Sequence, residues 1–267
     1  MKTAFRGKAA FALALVCLGV AAFFAGKIFY TELEYKEGDD LYEEIAQMAV
    51  TDSEEPDESP ASAVSESETD ADEEAALPVV DFTALAEINT DIGAWLYSPD
   101  TVINYPVVQG TDNEYYLYHL ADGTYNRNGC LFIDCNNNDD FSDENTIIYG
   151  HHMASGKMFA SLIQYAKQEY YEAHPVMYLT VGDSKYRLEL FAGYTTTADS
   201  SAYIMRFSDS HEFAEWMREV SGKSDFTANI RLTTDDRIVT LSTCAYSFQD
   251  ARYVLHGRLE KLNDEGD

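Results

Sequence analysis

The stretch RIVTLSTCAYSFQDARYVLHGRL, Arg237–Leu259, reads as two β-strands joined by a polar loop. Ile238, Thr240 and Ser242 alternate with Val239, Leu241 and Thr243 in a first strand that ends at Cys244. Tyr253, Leu255 and Gly257 begin the return. Paired as a hairpin, the strands bring Cys244 and Arg252 to opposite ends of one loop, within side-chain reach. A free thiol with a pKa of roughly 8.5 is only a few per cent thiolate at neutral pH, so a nucleophilic cysteine needs a nearby cation or base. Arg252 supplies charge but cannot accept a proton, so the proton carrier must come from elsewhere.

The best candidate lies in NTIIYGHHMASGKMF, Asn145–Phe159. There a strand reaches Gly150 and then His151 and His152, in a loop ahead of a helix, where functional side chains are often displayed. His119, His174, His211 and His256 lack such a setting and read as surface or capping residues.

Around these two stretches the region after Leu77 is rich in short β runs. Candidate strands are 102–108, 129–134, 146–150, 176–181, 186–195, 237–244 and 253–262, with a tight turn at Gly182-Asp183. Candidate helices are 82–87, 158–172 and 211–220, the last with an apolar stripe of Phe213, Trp216, Met217 and Val220 behind cap candidates at 208–210. Seven or eight strands with few helices predict a mainly β fold, a closed or nearly closed barrel with helices at its edges.

The rest of the chain locates this domain. Ala9–Gly26 is an uncharged, apolar run that as a helix spans roughly 27 Å, near the thickness of a bilayer core. Lys2, Arg6 and Lys8 precede it, which predicts a retained single-pass signal anchor (9–26), residues 1–8 in the cytoplasm and everything after Lys27 outside. No clear small-x-small cleavage site follows, which disfavours a cleaved signal peptide. Residues 27–50 form a juxtamembrane segment in which Leu41, Ile45 and Met48 recur at helical spacing. The segment 51–76 holds eleven acidic and no basic residues and no aromatics, the composition of a disordered linker, whose expected job is reach. Residues 77–267 are expected to be the catalytic domain. The net charge of -29 disfavours nucleic acid or an anionic surface as the main partner, although much of it sits in this linker.

Cys17 lies in the apolar run, and Cys130 and Cys135 bracket GCLFIDC, too far apart in an extended strand to bond each other. Cys244 is left without a partner. A zinc site from Cys130, Cys135 and the paired histidines lacks the usual C-x2-C spacing, and the acidic loop 136–144 lacks the spacing of an EF-hand, so no metal is expected.

Three quoted segments, INYPVVQGTDNEYYL (Ile103–Leu117), GCLFIDCNN and NTIIYGHHMASGKMF, precede the TLSTC strand end and Arg252 in this order, and together they resemble the sortase family, in particular its class B. The likeness covers roughly Trp95 to Leu262. Cys130 and Cys135, where small or aromatic residues are more usual, and the acidic segment depart from the family pattern. The resemblance implies a sortase-type barrel and a cysteine transpeptidase that cleaves a C-terminal sorting motif of secreted proteins after Thr. The acyl group then passes to an amine, either a peptidoglycan precursor or a lysine of another protein, with no cofactor. It implies Cys244 as nucleophile, His151 as proton carrier and Arg252 as oxyanion stabiliser. Asn113, Leu117, Tyr149 and Ser242 match positions lining the substrate groove, with Tyr203 and Ile204 added from the loop before the last helix. The rival readings are a membrane-tethered binding domain without activity and a cysteine peptidase that releases its product to water.

Overall fold

The computed structural model describes residues 2–51, 77–245, 247 and 250–262; the side chains of 2–14, 16 and 51 fall outside that description. Helix α1 (Lys2–Ala49) runs directly into a short strand, β1 (Val50–Thr51). Strand β2 (Val79–Val80) pairs with it antiparallel, Thr51 facing Val79. Helix α2 (Phe82–Ile88) follows, capped by Asp81, whose carboxylate accepts from the N–H groups of Thr83 and Ala84.

The barrel strands are β3 (Ile92–Tyr97), β4 (Asn104–Val108), β5 (Leu131–Ile133), β6 (Asn145–Tyr149), β7 (Val176–Val181), β8 (Ser184–Thr197), β9 (Arg237–Cys244) and β10 (Ala251–Lys261). They close in the order β10-β8-β7-β3-β4-β5-β6-β9, which leaves the barrel no free edge. Two neighbouring pairs, β4/β5 and β6/β9, are parallel; the others are antiparallel. The hairpin read from Arg237–Leu259 is present, and the β7–β8 turn bends at Gly182 with φ +54°.

Strand β3 is absent from the sequence reading. Its burial runs through Ala94, Trp95 and Leu96 without alternation, and a bulge interrupts its register between Ile92 and Ala94, so no period-2 signal marks it. The helix expected over 158–172 divides at Lys167, whose extended backbone separates a 3-10 segment (Phe159–Ala166) from α3 (Gln168–Ala173). Helix α4 (Ser210–Gly222) is capped by Asp209 and buries the expected stripe of Phe213, Trp216, Met217 and Val220 against Phe191, Tyr194 and Val254. His256, expected at the surface, is fully buried there among Phe191, Tyr194 and Trp216, and that burial holds its pKa at about 3.

The second half of α1 lies on the barrel. Tyr42, Ile45 and Ala49 join the main core while Met48 is exposed, so the buried face is turned from the expected Leu41–Ile45–Met48 line toward the aromatic residue. The helix carbonyls of Glu34 and Tyr35 accept from the side-chain amides of Asn126 and Asn128 (2.6 and 2.9 Å), and the Tyr42 hydroxyl donates to the Gly129 carbonyl. Gly38 sits where a Cβ would come within 2.5 Å of Asn128 Nδ2. A helix-interior glycine costs about 1 kcal/mol relative to alanine; here it permits close approach of the backbone. Because Thr51 and Val79 are cross-strand partners, the acidic segment starts and ends at one place. The reach expected of it does not follow: its length adds nothing to the distance between α1 and the barrel. The residues 52–76 themselves lie outside the described ones.

Among the described residues no helix is long and apolar enough to cross a membrane; part of Ala9–Gly26 lies among the side chains not described.

Candidate active site

Parallel pairing of β6 with β9 sets Tyr149 beside Ser242 and carries the ladder one step further, the Gly150 N–H donating to the Ser242 carbonyl at 3.0 Å. Both strands therefore end at the same rim. His151 leaves the end of β6 as Cys244 ends β9, and the antiparallel return of β10 sets Arg252 directly across from Cys244. Gly150 has no room for a side chain: a Cβ would lie 2.5 Å from Leu131 and 2.6 Å from Phe159. Residue types and register thus bring a thiol, an imidazole and a guanidinium to one side of a cavity of about 380 Å³.

His151 Nε2 lies 2.7 Å from the Leu117 carbonyl, which can only accept, so Nε2 carries the hydrogen and Nδ1 is the nitrogen left for proton exchange. His152 faces differently. Its Nδ1 donates to the Cys244 carbonyl at 3.0 Å, so it steadies the backbone at the cysteine. Arg252 donates from Nη1 to the Ala251 carbonyl and is half-buried on the cavity wall.

Asn113, Leu117, Tyr149, Tyr203 and Ser242 also line this cavity; Ile204 does not, and its side chain is exposed. Tyr203 donates or accepts at 2.8 Å with the Ser242 hydroxyl, and its ring stacks on that of Tyr149 at 6.2 Å. Burial pushes both phenols above their ordinary pKa, and Asp134 adds to this at Tyr149, so both stay protonated at neutral pH. The sequence reading missed Tyr118, Phe132 and Ala198 on the wall, and Asp134 beneath it. The buried Asp134 carboxylate accepts from Asn113 Nδ2 and Tyr149 OH, both at 2.9 Å, and so fixes two cavity-lining residues at once. Its place at the end of GCLFID, inside a quoted segment, was the available signal.

No group of three or more metal-ligating side chains occurs among the described residues. In the acidic loop, Asp143 is occupied by Asn137, Asn138 and Arg206. Burial pushes its carboxyl up, but these hydrogen bonds outweigh it and hold it below the usual range. Cys130 is buried with its pKa pushed up to about 12 by that burial, and Cys135 is a free, half-buried thiol.

Comparison with known proteins agrees with this arrangement. The family model described as Sortase domain matches residues 96–260. Sortase B of Listeria monocytogenes is 38% identical over 177 residues, 66% of this chain and 72% of the relative, and Sortase B of Staphylococcus aureus is 35% identical over 184 residues, 68% and 75%. Among solved structures, a Staphylococcus aureus sortase B–substrate complex superposes with a TM-score of 0.65 at 35% identity, covering 68% of this chain and 85% of that one. Sortase B from B. anthracis in complex with AAEK1 gives 0.71 at 31% identity, covering 86% and 99%. A thiol, an imidazole and a guanidinium on the rim of this barrel, with a family match across it, establish that the chain belongs to the sortase family of cysteine transpeptidases, with sortase B enzymes among its relatives.

Proposed function

We propose that the chain cleaves a C-terminal sorting motif of secreted proteins after Thr and joins the new acyl end to an amine of a peptidoglycan precursor or of another surface protein. The Cys244 thiolate attacks the threonine carbonyl carbon; a C–S bond forms and the carbonyl electrons move to oxygen. Arg252 and backbone N–H groups hold that oxyanion. On collapse the C–N bond breaks, and the leaving amine takes a proton from His151 Nδ1. An incoming amine then attacks the thioester, returns its extra proton to His151 and releases the thiolate. Asn113, Leu117, Tyr149, Tyr203 and Ser242 form the peptide wall. Anchoring by Ala9–Gly26, with the barrel outside the cell, is part of this reading, supported by a helix that leaves Leu18, Phe23, Phe24, Ile28 and Phe29 uncovered.

The single observation that carries it is the shared rim: parallel β6/β9 and antiparallel β9/β10 pairing collect His151, Cys244 and Arg252 on one cavity. The test is turnover of sorting-motif peptides by single variants. Cys244→Ala should abolish turnover and keep peptide binding, His151→Ala should be nearly as severe, and His152→Ala should cost about fivefold, the worth of one hydrogen bond to the Cys244 carbonyl. The reverse order of the two histidines would contradict the assignment.

A further inference from the structure

Tyr203 reaches the cavity from a short loop between β8 and α4, and the carbonyls of that loop are taken up one after another by buried donors. Ser201 O accepts from Trp216 Nε1 at 2.8 Å. Ala202 O and Ile204 O both accept from Asn145 Nδ2, at 3.2 and 2.8 Å, and Met205 O accepts from the Asn145 backbone N–H at 3.1 Å. One residue at the start of β6 therefore holds three points of the loop around Tyr203.

Asn145 is itself held. Its Oδ1 accepts from Thr240 Oγ1 at 2.7 Å, and Thr240 Oγ1 lies 2.8 Å from His256 Nδ1. A hydroxyl has one proton, and here it goes to Asn145; His256 Nδ1 must therefore carry the hydrogen and donate to Thr240. The donors run in one direction, from His256 through Thr240 and Asn145 to the loop carbonyls. All three residues have no exposed surface, and none of them lines the cavity. A second hold acts on the far side of Tyr203, where Arg206 donates to Asp143 and to the Asn136 carbonyl.

We propose that Asn145, Thr240 and His256 are positioning residues that set the Tyr203 wall, and through it the affinity and side-chain preference for the peptide. The proposal rests on the reading of this cavity as the peptide site. The physical reason is pre-organisation: a loop already ordered in the free protein loses less entropy when peptide binds, and misplacing it by an ångström weakens every contact it makes. It also assigns a role to Thr240, the first residue of the TLSTC strand end, four residues from the thiol.

The test uses the full chain. Asn145→Asp sets an oxygen against two carbonyl oxygens, Thr240→Val removes the relay hydroxyl while keeping the shape, and Thr240→Ser keeps the hydroxyl. Measured are peptide KM and kcat, the rate of Cys244 alkylation by iodoacetamide located by peptide mass mapping, the thermal midpoint, and Trp216 fluorescence as a substrate-free report on the loop. Asn145→Asp and Thr240→Val are expected to raise KM about tenfold or more and to shift the indole emission. Their kcat should stay within about threefold and their alkylation rate unchanged, with Thr240→Ser near the unaltered chain. If Asn145→Asp fails to fold, Thr240→Val decides alone. Lower thermal midpoints with unchanged KM and unchanged emission would reduce the relay to a structural role and overturn the proposal. Failure of the unaltered chain to turn over peptide would count against the peptide reading instead, and the fluorescence would still decide whether the relay sets the loop.

Discussion

The proposed mechanism asks Arg252 for two things: positive charge opposite Cys244 and a directional hydrogen bond to an oxyanion. Lysine retains the first and loses the planar fork. Arg252→Lys should therefore keep thiol labelling by a small alkylating probe while peptide turnover falls on the order of 100- to 1000-fold, the usual cost of one oxyanion donor. Near-normal turnover in Arg252→Lys, with a destabilised Arg252→Ala, would make the residue a structural ion-pair partner instead. The placement of Cys244 and His151 on one cavity was legible because each sits at the end of a strand whose pattern is plain: Cys244 after Ile238–Thr243, and His151 after Thr146–Tyr149. Asn145 and His256 were not, since their contacts run across strands and no spacing within one strand encodes them. His256 is the sharpest case. An alternating strand leaves a polar residue free to face solvent, and only the packing of α4 on that side of the barrel encloses it.

Among the elements, α1 departs furthest from what its sequence shows. Its residues read as a signal anchor followed by a juxtamembrane segment at helical spacing, because nothing in that stretch says that Gly38 and Tyr42 have a partner surface ninety residues away. The partner is the turn Asn126–Gly129, and Gly129 packs in turn against the Leu117 carbonyl and the His151 ring, where a Cβ would come within 2.9 Å of either. We therefore infer a folded unit that reaches back to about Thr31, beyond the start at Leu77 read from composition. Removing the helix would expose Tyr42, Ile45 and Ala49 contacts worth several kcal/mol at roughly 1.5–3 kcal/mol for each large side chain. A chain beginning at Leu77 should melt about 10 °C below one beginning at Thr31, given 2–4 °C for each kcal/mol in a domain of this size. Its Cys130, which sits at the start of the strand beneath Tyr42, should become reactive to thiol reagents. Equal midpoints and an unreactive Cys130 in both chains would show that α1 is a passive stalk. Strand β3 was missed for a related reason, since burial on both faces erases the alternation that identifies a strand.

Taken whole, the molecule is a closed barrel whose chemistry is collected by topology: one parallel and one antiparallel neighbour of β9 bring three side chains from two distant segments to a single rim. With β1 and β2 clasped together, the helix itself is the connection between the proposed membrane anchor and the barrel. The closed or nearly closed barrel and its edge helices were legible from strand count and turn residues, whereas strand order depends on long-range pairing that local patterns do not carry. Acyl transfer through Cys244 is read out by intact-mass measurement of the chain after incubation with sorting-motif peptides. The expected product is an adduct equal in mass to the peptide up to its threonine, minus water, mapped to Cys244, absent in Cys244→Ala, and discharged to an amide when an amine acceptor is added. Peptide cleavage with no such adduct, or an adduct on Cys130 or Cys135 that persists in Cys244→Ala, would contradict it.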